Sequence, residues 1–217
     1  MKETVRLILV LTVTAALTGA LLALANRLTE EPIQAARRAA LLNSLERVLP
    51  DHDNEPDREQ ITLEIEGREH TFYPARRHGE FAGAALTGAA AGYGGVITVM
   101  IGIDAGDRIH AIHVLDHVET PGLGANITRP EFTGQFKELD GRNPERINLT
   151  RDQGAIDAVT AATVSSEAVI KAVREGVERY LAHRDTVREA SRNGGRKPAL
   201  DAGPDEPEAL EPKGNQP

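Results

Sequence analysis

Hydrophobic and polar positions are distributed differently in three parts of the chain, and the first part has the simplest pattern. Residues 7–25 form a run of 19 residues without a charge, most of them apolar. A helix of that length rises about 28 Å, close to the ~30 Å hydrocarbon core of a bilayer. The pattern predicts a membrane-spanning helix over residues 7–26, preceded by a short N-terminus at residues 1–6.

Two other interpretations of this apolar run stay open. Ala23-Leu24-Ala25 is typical of a signal-peptide cleavage site, and a helix that is apolar on every side could also lie in a protein core. The run exceeds the roughly 7–15 apolar residues of a signal peptide, which favours an anchor. Three positive groups flank it on each side, so charge alone leaves the orientation open. A short N-terminal tail favours a cytoplasmic N-terminus.

The middle of the chain has the alternating pattern of a small mixed domain. Apolar positions on one helical stripe predict a helix over residues 32–49, which Pro50 ends, and a polar loop covers 51–60. Strand patterns follow at residues 61–65, 70–73, 81–86, 96–103 and 108–115, with turns at 66–67 and 104–107. The strand at 96–103 is apolar at nearly every position, so we expect both its faces to be covered.

The last third combines one amphipathic helix with a polar end. Residues 164–181 repeat with helical period, and hairpin-connected strands with flanking helices predict an α+β domain with a mainly antiparallel sheet over residues 33–182. Past Tyr180 there is no aromatic residue, and five of the 12 prolines fall in the last 20 residues. Residues 183–217 are therefore expected to be a disordered, acidic, Pro-rich tail.

Composition excludes several function classes. The net charge of −8 and the aromatic share of 3 % argue against a nucleic-acid partner. Cysteine is absent, which excludes disulfides, thiolate metal sites and cysteine nucleophiles in this chain. His110 and His113 have opposite parity on a strand, so we predict no metal site there. The segment at residues 92–95, GYGG, lacks the following helix and the third glycine position of a GxGxxG dinucleotide loop, and it is interpreted as the entry turn of a strand.

One candidate binding segment is the turn Glu119-Thr120-Pro121-Gly122-Leu123-Gly124, which follows a strand. Proline fixes one turn angle and glycine permits positive φ, so the backbone can approach a planar ligand and offer it N–H groups. The alternative is an ordinary surface turn.

The other candidate segment, residues 157–166, places acidic, small and hydroxyl side chains just before a helix. Its members are Asp157, Thr160, Ala162, Thr163, Ser165 and Ser166. A helix N-terminus attracts phosphate through its dipole and free amides, and a phosphate esterified to a hydroxyl there would lie in that field. The alternative is a plain N-cap, in which Ser165 or Ser166 accepts hydrogen bonds from those amides.

Three segments taken together resemble a known family. GYGGVITVMIGID, VLDHVETPGLGANI and IDAVTAATVSSEAV resemble, in order and spacing, the FMN-binding domain of the G-type subunit of Rnf-type (Rsx) electron transport complexes. The C-type subunit of the sodium-pumping NADH:quinone reductase is similar but more distant. The resemblance covers roughly residues 33–180. In the family motif an acidic residue, two variable residues, Ser or Thr, Gly and Ala precede a flavinylated threonine, which maps onto Thr163.

The resemblance implies a single-pass protein of the bacterial inner membrane with an extracytoplasmic FMN-binding domain. FMN would be held by a phosphoester to Thr163, attached by a separate flavin transferase that uses FAD and Mg²⁺. The turn from Glu119 to Gly124 would line the isoalloxazine, and Asp157 would belong to the sequence that the transferase reads. The partners implied are the other membrane subunits of an Rnf-type complex, in which the chain carries electrons rather than acting as the sole catalyst.

One departure and two other functions remain at this stage. The glycine of the family motif is Ala161 here, whose methyl group would cost on the order of 1 kcal/mol if the position needs positive φ. The same domain could serve as an envelope scaffold without flavin. It could also be a hydrolase that uses Thr163 or Ser165 as its nucleophile.

Overall fold

The computed structural model describes residues 2–194, and a single long helix, α1 (Lys2–Val48), forms their N-terminal part. Among these residues α1 is the one helix long and apolar enough to cross a membrane, with a mean hydropathy of 2.5 in its apolar stretch. The apolar side chains are exposed, with Leu11 at 71 % and Leu22 at 73 %. The alternative of a buried core helix is therefore wrong.

The predicted break between the apolar run and the next helix is also wrong. The helix continues from residue 26 through Pro32 to Val48 without interruption. Proline removes one backbone donor from a helix interior, but this stretch is exposed, so water can hydrate the carbonyl left without a partner. The apolar run and the first helix of the domain are one continuous rod.

The five predicted strands form one antiparallel sheet in chain order. They are β1 (Ile61–Ile65), β2 (Arg68–Arg77), β3 (Glu80–Ala91), β4 (Val96–Asp104) and β5 (Ile109–Asp116). Four of them extend beyond the predicted bounds, because pairing with a neighbour satisfies backbone groups where side chains no longer alternate. The α+β class and the antiparallel sheet are confirmed.

Helices cover both faces of the sheet, as the apolar pattern of β4 predicts. On one face lies α3 (Thr163–Arg192), whose buried residues share a core with β4: Val169, Val173, Val177, Val99, Ile101 and Ile103. On the other face, Leu45 and Val48 of α1 pack with Met100. A short helix α2 (Pro130–Thr133) and several 3₁₀ turns connect β5 to α3.

The direction of α1 relates the sheet to the membrane-spanning part. A side chain at Gly102 would overlap the carbonyl of Val48, and Gly102 pairs with Ala111 near the start of β5. Arg37, earlier in α1, lines a groove with Leu115 near the end of β5. The helix therefore runs antiparallel to β5. The start of β4 and the end of β5 lie on the side from which α1 arrives.

The last turns of α3 are held by an ionic contact with the β4–β5 turn. Asp107 is 5 % exposed, and its carboxylate accepts hydrogen bonds from Arg184 at 3.1 Å and Arg188 at 2.8 Å. Val187 and Ala190 are fully buried in the same turns. The expectation of disorder from His183 onward is thus wrong as far as Arg192. Long-range ion pairs with Asp107 stabilise these turns, although their local composition does not predict an ordered helix. Residues 195–217 of the predicted tail lie outside the described residues.

Replacing Asp107 tests this contact. We expect Asp107→Asn, which keeps the size and the tolerance for positive φ, to lower the free energy of unfolding by about 2 kcal/mol, because within residues 2–194 it leaves Arg188 without a counter-charge and Arg184 with only the exposed Asp185. Urea denaturation of the detergent-solubilised chain, followed by circular dichroism, measures the change. The control is Asp185→Asn, since that side chain is 90 % exposed. Equal effects of the two substitutions would contradict the assignment.

Candidate functional site

A groove of ≈ 590 Å³ opens where β4 begins and β5 ends. Three segments meet there: the loop before β4, the turn after β5 and the first residues of α3. The residues that line it are Tyr93, Glu119, Thr120, Leu123, Gly124, Ala161, Ala162, Thr163, Val164 and Ser165. The two candidate segments of the sequence, residues 119–124 and 157–166, thus form one site together with a third segment.

Glu119 joins the three segments through its buried carboxylate. One oxygen, Oε1, accepts a hydrogen bond from the Gly94 amide at 3.0 Å, and Oε2 accepts one from the Ser165 hydroxyl at 2.7 Å. The residue is 6 % exposed. A side chain at Gly124 would overlap both Oε2 and the Ser165 hydroxyl, so this position needs glycine. The loop, the turn and the helix are therefore fixed relative to one another by one side chain.

The hydrogen bonds around Glu119 keep its carboxylate ionised. Burial, the largest influence, raises its pKa, but the amides of Gly94 and Tyr93 and the hydroxyl of Ser165 together hold the pKa below its usual value. A carboxylate that accepts several hydrogen bonds is stabilised in its charged form. The site therefore contains a fixed negative charge at neutral pH.

The turn after β5 has the positive-φ geometry that its glycines permit. Gly122 has φ of +77°, and its carbonyl accepts a hydrogen bond from the Asn126 side-chain amide at 2.9 Å. This conformation leaves Leu123 47 % exposed at the edge of the groove. Tyr93, at 78 %, and Val164, at 50 %, are also exposed there. The groove thus has apolar walls, which is typical of a site for a planar organic ligand.

Thr163 is the first residue of α3 and lies half-buried in the groove. The residue before it, Ala162, offers no side-chain cap to the helix. Within residues 2–194 the Thr163 hydroxyl makes no hydrogen bond. The amides of the first helical turn and this hydroxyl therefore face the groove without protein partners from a side chain.

The plain N-cap interpretation of this segment is wrong. Ser165 and Ser166 lie inside the helix rather than before it. Ser165 donates to Glu119, while the Ser166 hydroxyl accepts from the Val159 amide at 2.9 Å and donates to the Ala162 carbonyl at 3.0 Å. Both serines therefore serve to hold neighbouring segments, and neither accepts a hydrogen bond from the free amides at the helix start.

Ala161 adopts the left-handed conformation that its place in the motif implies. Its φ is +61°, one of six positive values at non-glycine residues in the described part of the chain. In this region the Cβ atom crowds the backbone, at a cost of about 1–2 kcal/mol. The turn before α3 is thus built for glycine but carries alanine.

The structure brings seven of the eleven predicted binding residues into the groove: Glu119, Thr120, Leu123, Gly124, Ala162, Thr163 and Ser165. Gly122 shapes the turn and Ser166 braces the helix, but neither lines the groove. Thr160 is exposed on the turn before it. The Asp157 carboxylate accepts from the Thr150 hydroxyl at 2.8 Å, and its amide donates to Gln135 at 2.7 Å, which places Asp157 outside the groove.

Three lining residues were missed by the sequence analysis as binding residues: Tyr93, Ala161 and Val164. The interpretation of residues 92–95 as only a strand-entry turn is incomplete, because this loop also supplies the amide that binds Glu119 and an exposed aromatic wall. The available signal was a tyrosine between glycines in a chain with three tyrosines and no tryptophan.

Comparison with known proteins assigns the chain to a family. The family model of the FMN-binding domain matches residues 92–178, which include all three segments of the groove. The G-type subunit of the ion-translocating oxidoreductase complex of Vibrio vulnificus is 33 % identical over 193 residues, covering 82 % of this chain and 90 % of that protein. The chain belongs to the family of G-type subunits of ion-translocating oxidoreductase complexes.

Other relatives carry related names. The G-type subunit from Stutzerimonas stutzeri is 35 % identical and covers 75 % of both chains. The corresponding subunit of a proton-translocating ferredoxin:NAD(+) oxidoreductase complex from Clostridium ljungdahlii is 29 % identical over 77 % of this chain and 86 % of that protein. Among solved structures, Shewanella oneidensis NqrC matches at 18 % identity over 64 % of this chain and 69 % of that chain, with a TM-score of 0.48. The family assignment rests on the sequence relatives.

The residues of the groove fit FMN by their chemistry. Free helix amides and a hydroxyl without a hydrogen bond suit its phosphate, and exposed apolar side chains at Tyr93, Leu123 and Val164 suit its ring. The FMN-binding domain match and the groove thus lie in the same part of the chain, residues 92–178.

Removing the methyl group of Ala161 should relieve its strain. We expect Ala161→Gly to raise the free energy of unfolding by about 0.5–1 kcal/mol, the relief of left-handed strain less the entropy that glycine adds to the unfolded chain. Thermal or urea denaturation measures the difference. The matched control is Ala158→Gly in the same segment, where φ is not positive and a loss of roughly 0.4–1 kcal/mol is expected. A loss at both positions would contradict the strain.

Glu119 should make stability depend on pH. Because its pKa in the folded chain lies below its usual value of 4.5, its contribution is present above that value and is lost as the pH falls through the folded pKa. We expect Glu119→Gln to cost about 2 kcal/mol at pH 7 and less below pH ~4.5. Urea denaturation at both pH values checks this, with the exposed Glu178→Gln as control. A difference that does not shrink on acidification would count against an ionised Glu119.

Proposed function

We propose that this chain is a membrane-anchored flavoprotein subunit of a redox-driven ion-translocating complex, and that its FMN is attached by a phosphoester to Thr163. The family assignment supports an FMN-binding subunit of such a complex. The covalent attachment rests on one observation: Thr163 has the hydroxyl best placed to carry a phosphate at the uncapped start of α3.

The other hydroxyls of the segment are less suitable as acceptors. Ser165 is 2 % exposed and its hydroxyl is committed to Glu119, and Ser166 is fully buried. Thr160 is exposed but lies before the helix, on the turn that Ala161 closes. Only Thr163 combines access from the groove, a hydroxyl without a hydrogen bond and adjacency to the free helix amides.

A phosphate on Thr163 would gain stabilisation from the helix. The first amides of a helix carry partial positive charge and donate to an anion, and α3 is a long helix of 30 residues with a corresponding dipole. Because Ala162 gives this end no side-chain cap, the phosphate would meet helix amides that lack such a cap within residues 2–194. Thr163 would thus hold the phosphate, and the helix would neutralise part of its charge.

Tyr93, Leu123 and Val164 would cover the ring of the cofactor and keep water from part of its surface. When bound, FMN supplies one- and two-electron redox chemistry, which this chain has no side chain to perform. The protein contributes the position of the ring, and Glu119 contributes the rigid frame behind it.

The attachment reaction needs a second protein. In the proposed step the Thr163 oxygen attacks the FMN-side phosphorus of FAD, the pyrophosphate bond breaks and AMP leaves. A base on the flavin transferase takes the hydroxyl proton, and Mg²⁺ binds the phosphates. Asp157 and Thr160 lie exposed just before the acceptor, where the transferase can read them. We propose the extracytoplasmic side of the inner membrane as the place of the domain.

The other two candidate functions have less support. A hydrolase would need an accessible nucleophile with a base beside it. Ser165 has a carboxylate beside it in Glu119 but is only 2 % exposed, and Thr163 is accessible but has no side-chain partner within residues 2–194. A flavin-free scaffold would leave the apolar walls of the groove exposed without use, which is unfavourable in water.

Intact-mass measurement tests the attachment. After co-expression with a flavin transferase, we expect the chain to gain about 438 Da, the mass of FMN less water, and to lose this gain in Thr163→Ala. The matched control is Thr160→Ala, which changes a neighbouring exposed hydroxyl and should keep the adduct. An unmodified wild-type chain, under conditions in which the transferase modifies a known substrate, would refute the proposal.

A further inference from the structure

A second groove, unrelated to the flavin site, lies between α1 and the end of β5. It has a volume of ≈ 470 Å³, with His113 and Leu115 on the strand side and Arg37, Leu41 and Arg47 on the helix side. The groove forms because α1 leaves the sheet: Leu45 is buried, whereas Leu115 is 38 % exposed. We call it the α1–β5 groove.

The charge of the α1–β5 groove is opposite to that of the chain. No carboxylate from residues 2–194 lines it, although the whole chain has a net charge of −8. Within residues 2–194, neither Arg37 nor Arg47 forms a salt bridge, and Arg47 donates only to the Asn43 side chain at 2.7 Å. Burial, and then the charge of Arg47, lower the pKa of His113. The groove thus presents two arginines next to apolar surface.

Lipid headgroups are too far away to occupy the whole groove. Arg37 follows the apolar run by twelve residues, a rise of about 18 Å along the helix, and Arg47 lies about 15 Å further. Headgroups extend only about 5–8 Å beyond the hydrocarbon. Even a tilt of about 40° leaves Arg37 at ~14 Å. An anionic peptide fits this position better than a bilayer.

We propose that the acidic segment at residues 201–211 of this same chain binds in the α1–β5 groove. The segment contains five carboxylates and no basic residue, and Leu210 can contact Leu41 and Leu115. Its two internal prolines, Pro204 and Pro207, favour an extended backbone that needs no partner strand. Charge and shape therefore both suit a narrow groove with two arginines.

The segment is long enough to reach the groove. The C-terminal turns of α3 lie against the β4–β5 turn, where Arg188 donates to the Ala105 carbonyl at 3.0 Å. From there the path is about 20 Å along β5 and roughly 20 Å from one helical layer to the other. The eleven residues from Gly194 to Asp205 span up to ~40 Å, and those to Glu211 up to ~60 Å.

Tethering makes a weak contact sufficient. A covalent connection of this length gives the segment an effective concentration in the millimolar range. An intrinsic Kd of about 1 mM then fills the groove about half of the time, and tighter binding fills it further. A separate acidic protein at micromolar concentration would need a roughly thousandfold tighter contact, which favours the chain's own segment as the occupant.

Disulfide cross-linking tests the proposal, because the chain has no cysteine of its own. The pair Ala40→Cys/Ala209→Cys joins the groove to the segment, and Ala182→Cys/Ala209→Cys is the matched control. Ala182 is exposed on α3 about 15 Å from the end of that helix, nearer to the origin of the segment than the groove is. With copper-phenanthroline as oxidant and the full chain in uncharged-lipid nanodiscs, we expect the groove pair to cross-link at least about tenfold faster. Equal rates, or a faster control pair, would overturn the proposal.

Two further experiments test whether the two arginines cause the binding and which molecule occupies the groove. Arg37→Gln/Arg47→Gln should slow the groove pair to the control rate, whereas Arg68→Gln/Arg129→Gln, which changes exposed arginines elsewhere, should leave it unchanged. In Ala40→Cys alone, we expect alkylation to be slow in the full chain and fast in a chain that ends at Gly194. Protection that persists in the shortened chain in anionic-lipid nanodiscs would assign the groove to lipid. Protection that arises only in an assembled complex would assign it to another protein of that complex, and either result would refute the proposal.

Discussion

The buried carboxylate of Glu119 is the interaction on which the site depends. An ionised group is stable in a protein interior only when hydrogen bonds replace its hydration, and here the donors come from two parts of the chain that are distant in sequence from Glu119 and from each other. The loop at residues 93–95, the turn at 119–124 and the start of α3 must therefore fold together. The hydrogen bonds that offset the desolvation of this carboxylate also fix the three walls of the groove relative to one another.

The same constraint explains why the hydroxyls of the α3 segment differ in their roles. Ser165 is needed by Glu119, and Ser166 is needed by the Val159 amide and the Ala162 carbonyl. Neither can serve as a cap, so the helix begins without one. Thr163 is left with a free hydroxyl beside free amides, an arrangement that would be unfavourable unless an anion or water satisfied it. Within residues 2–194, the lack of a side-chain cap and the Thr163 hydroxyl without a hydrogen bond have the same structural cause.

Much of the fold could be predicted from local pattern, and the failures share one reason. Alternation and turn residues indicated the five strands, and the unbroken apolar pattern of β4 indicated its cover on both faces. The helix beyond His183 could not be predicted, because the contact of Arg184 and Arg188 with Asp107 spans about eighty positions of the sequence. The polar stretch around Pro32 looked like an end for the same reason, since nothing local shows that the helix continues.

The candidate site was likewise predictable only in part, and with the help of the family resemblance. The family motif indicated Thr163 as the acceptor and gave Ala161 in place of glycine as the residue that would be strained if its φ were positive. The structure shows that this φ is +61°. Tyr93 and Val164 could not be recognised, because whether an exposed apolar residue lines a groove depends on the tertiary position of its neighbours.

Continuity of α1 determines where the groove stands relative to a membrane. A helix rises 1.5 Å per residue, whereas a flexible linker of equal length would allow a wide range of distances. Because α1 crosses Pro32 as a helix and then packs against Met100, the domain stands at a set height above the apolar run. The antiparallel course of α1 along β5 turns the end of the sheet with Glu119 and Thr163 towards that run. A break in the helix at Pro32 would keep the groove intact, but the distance between the groove and the membrane would no longer be fixed. This stretch therefore has a positional role rather than a chemical one.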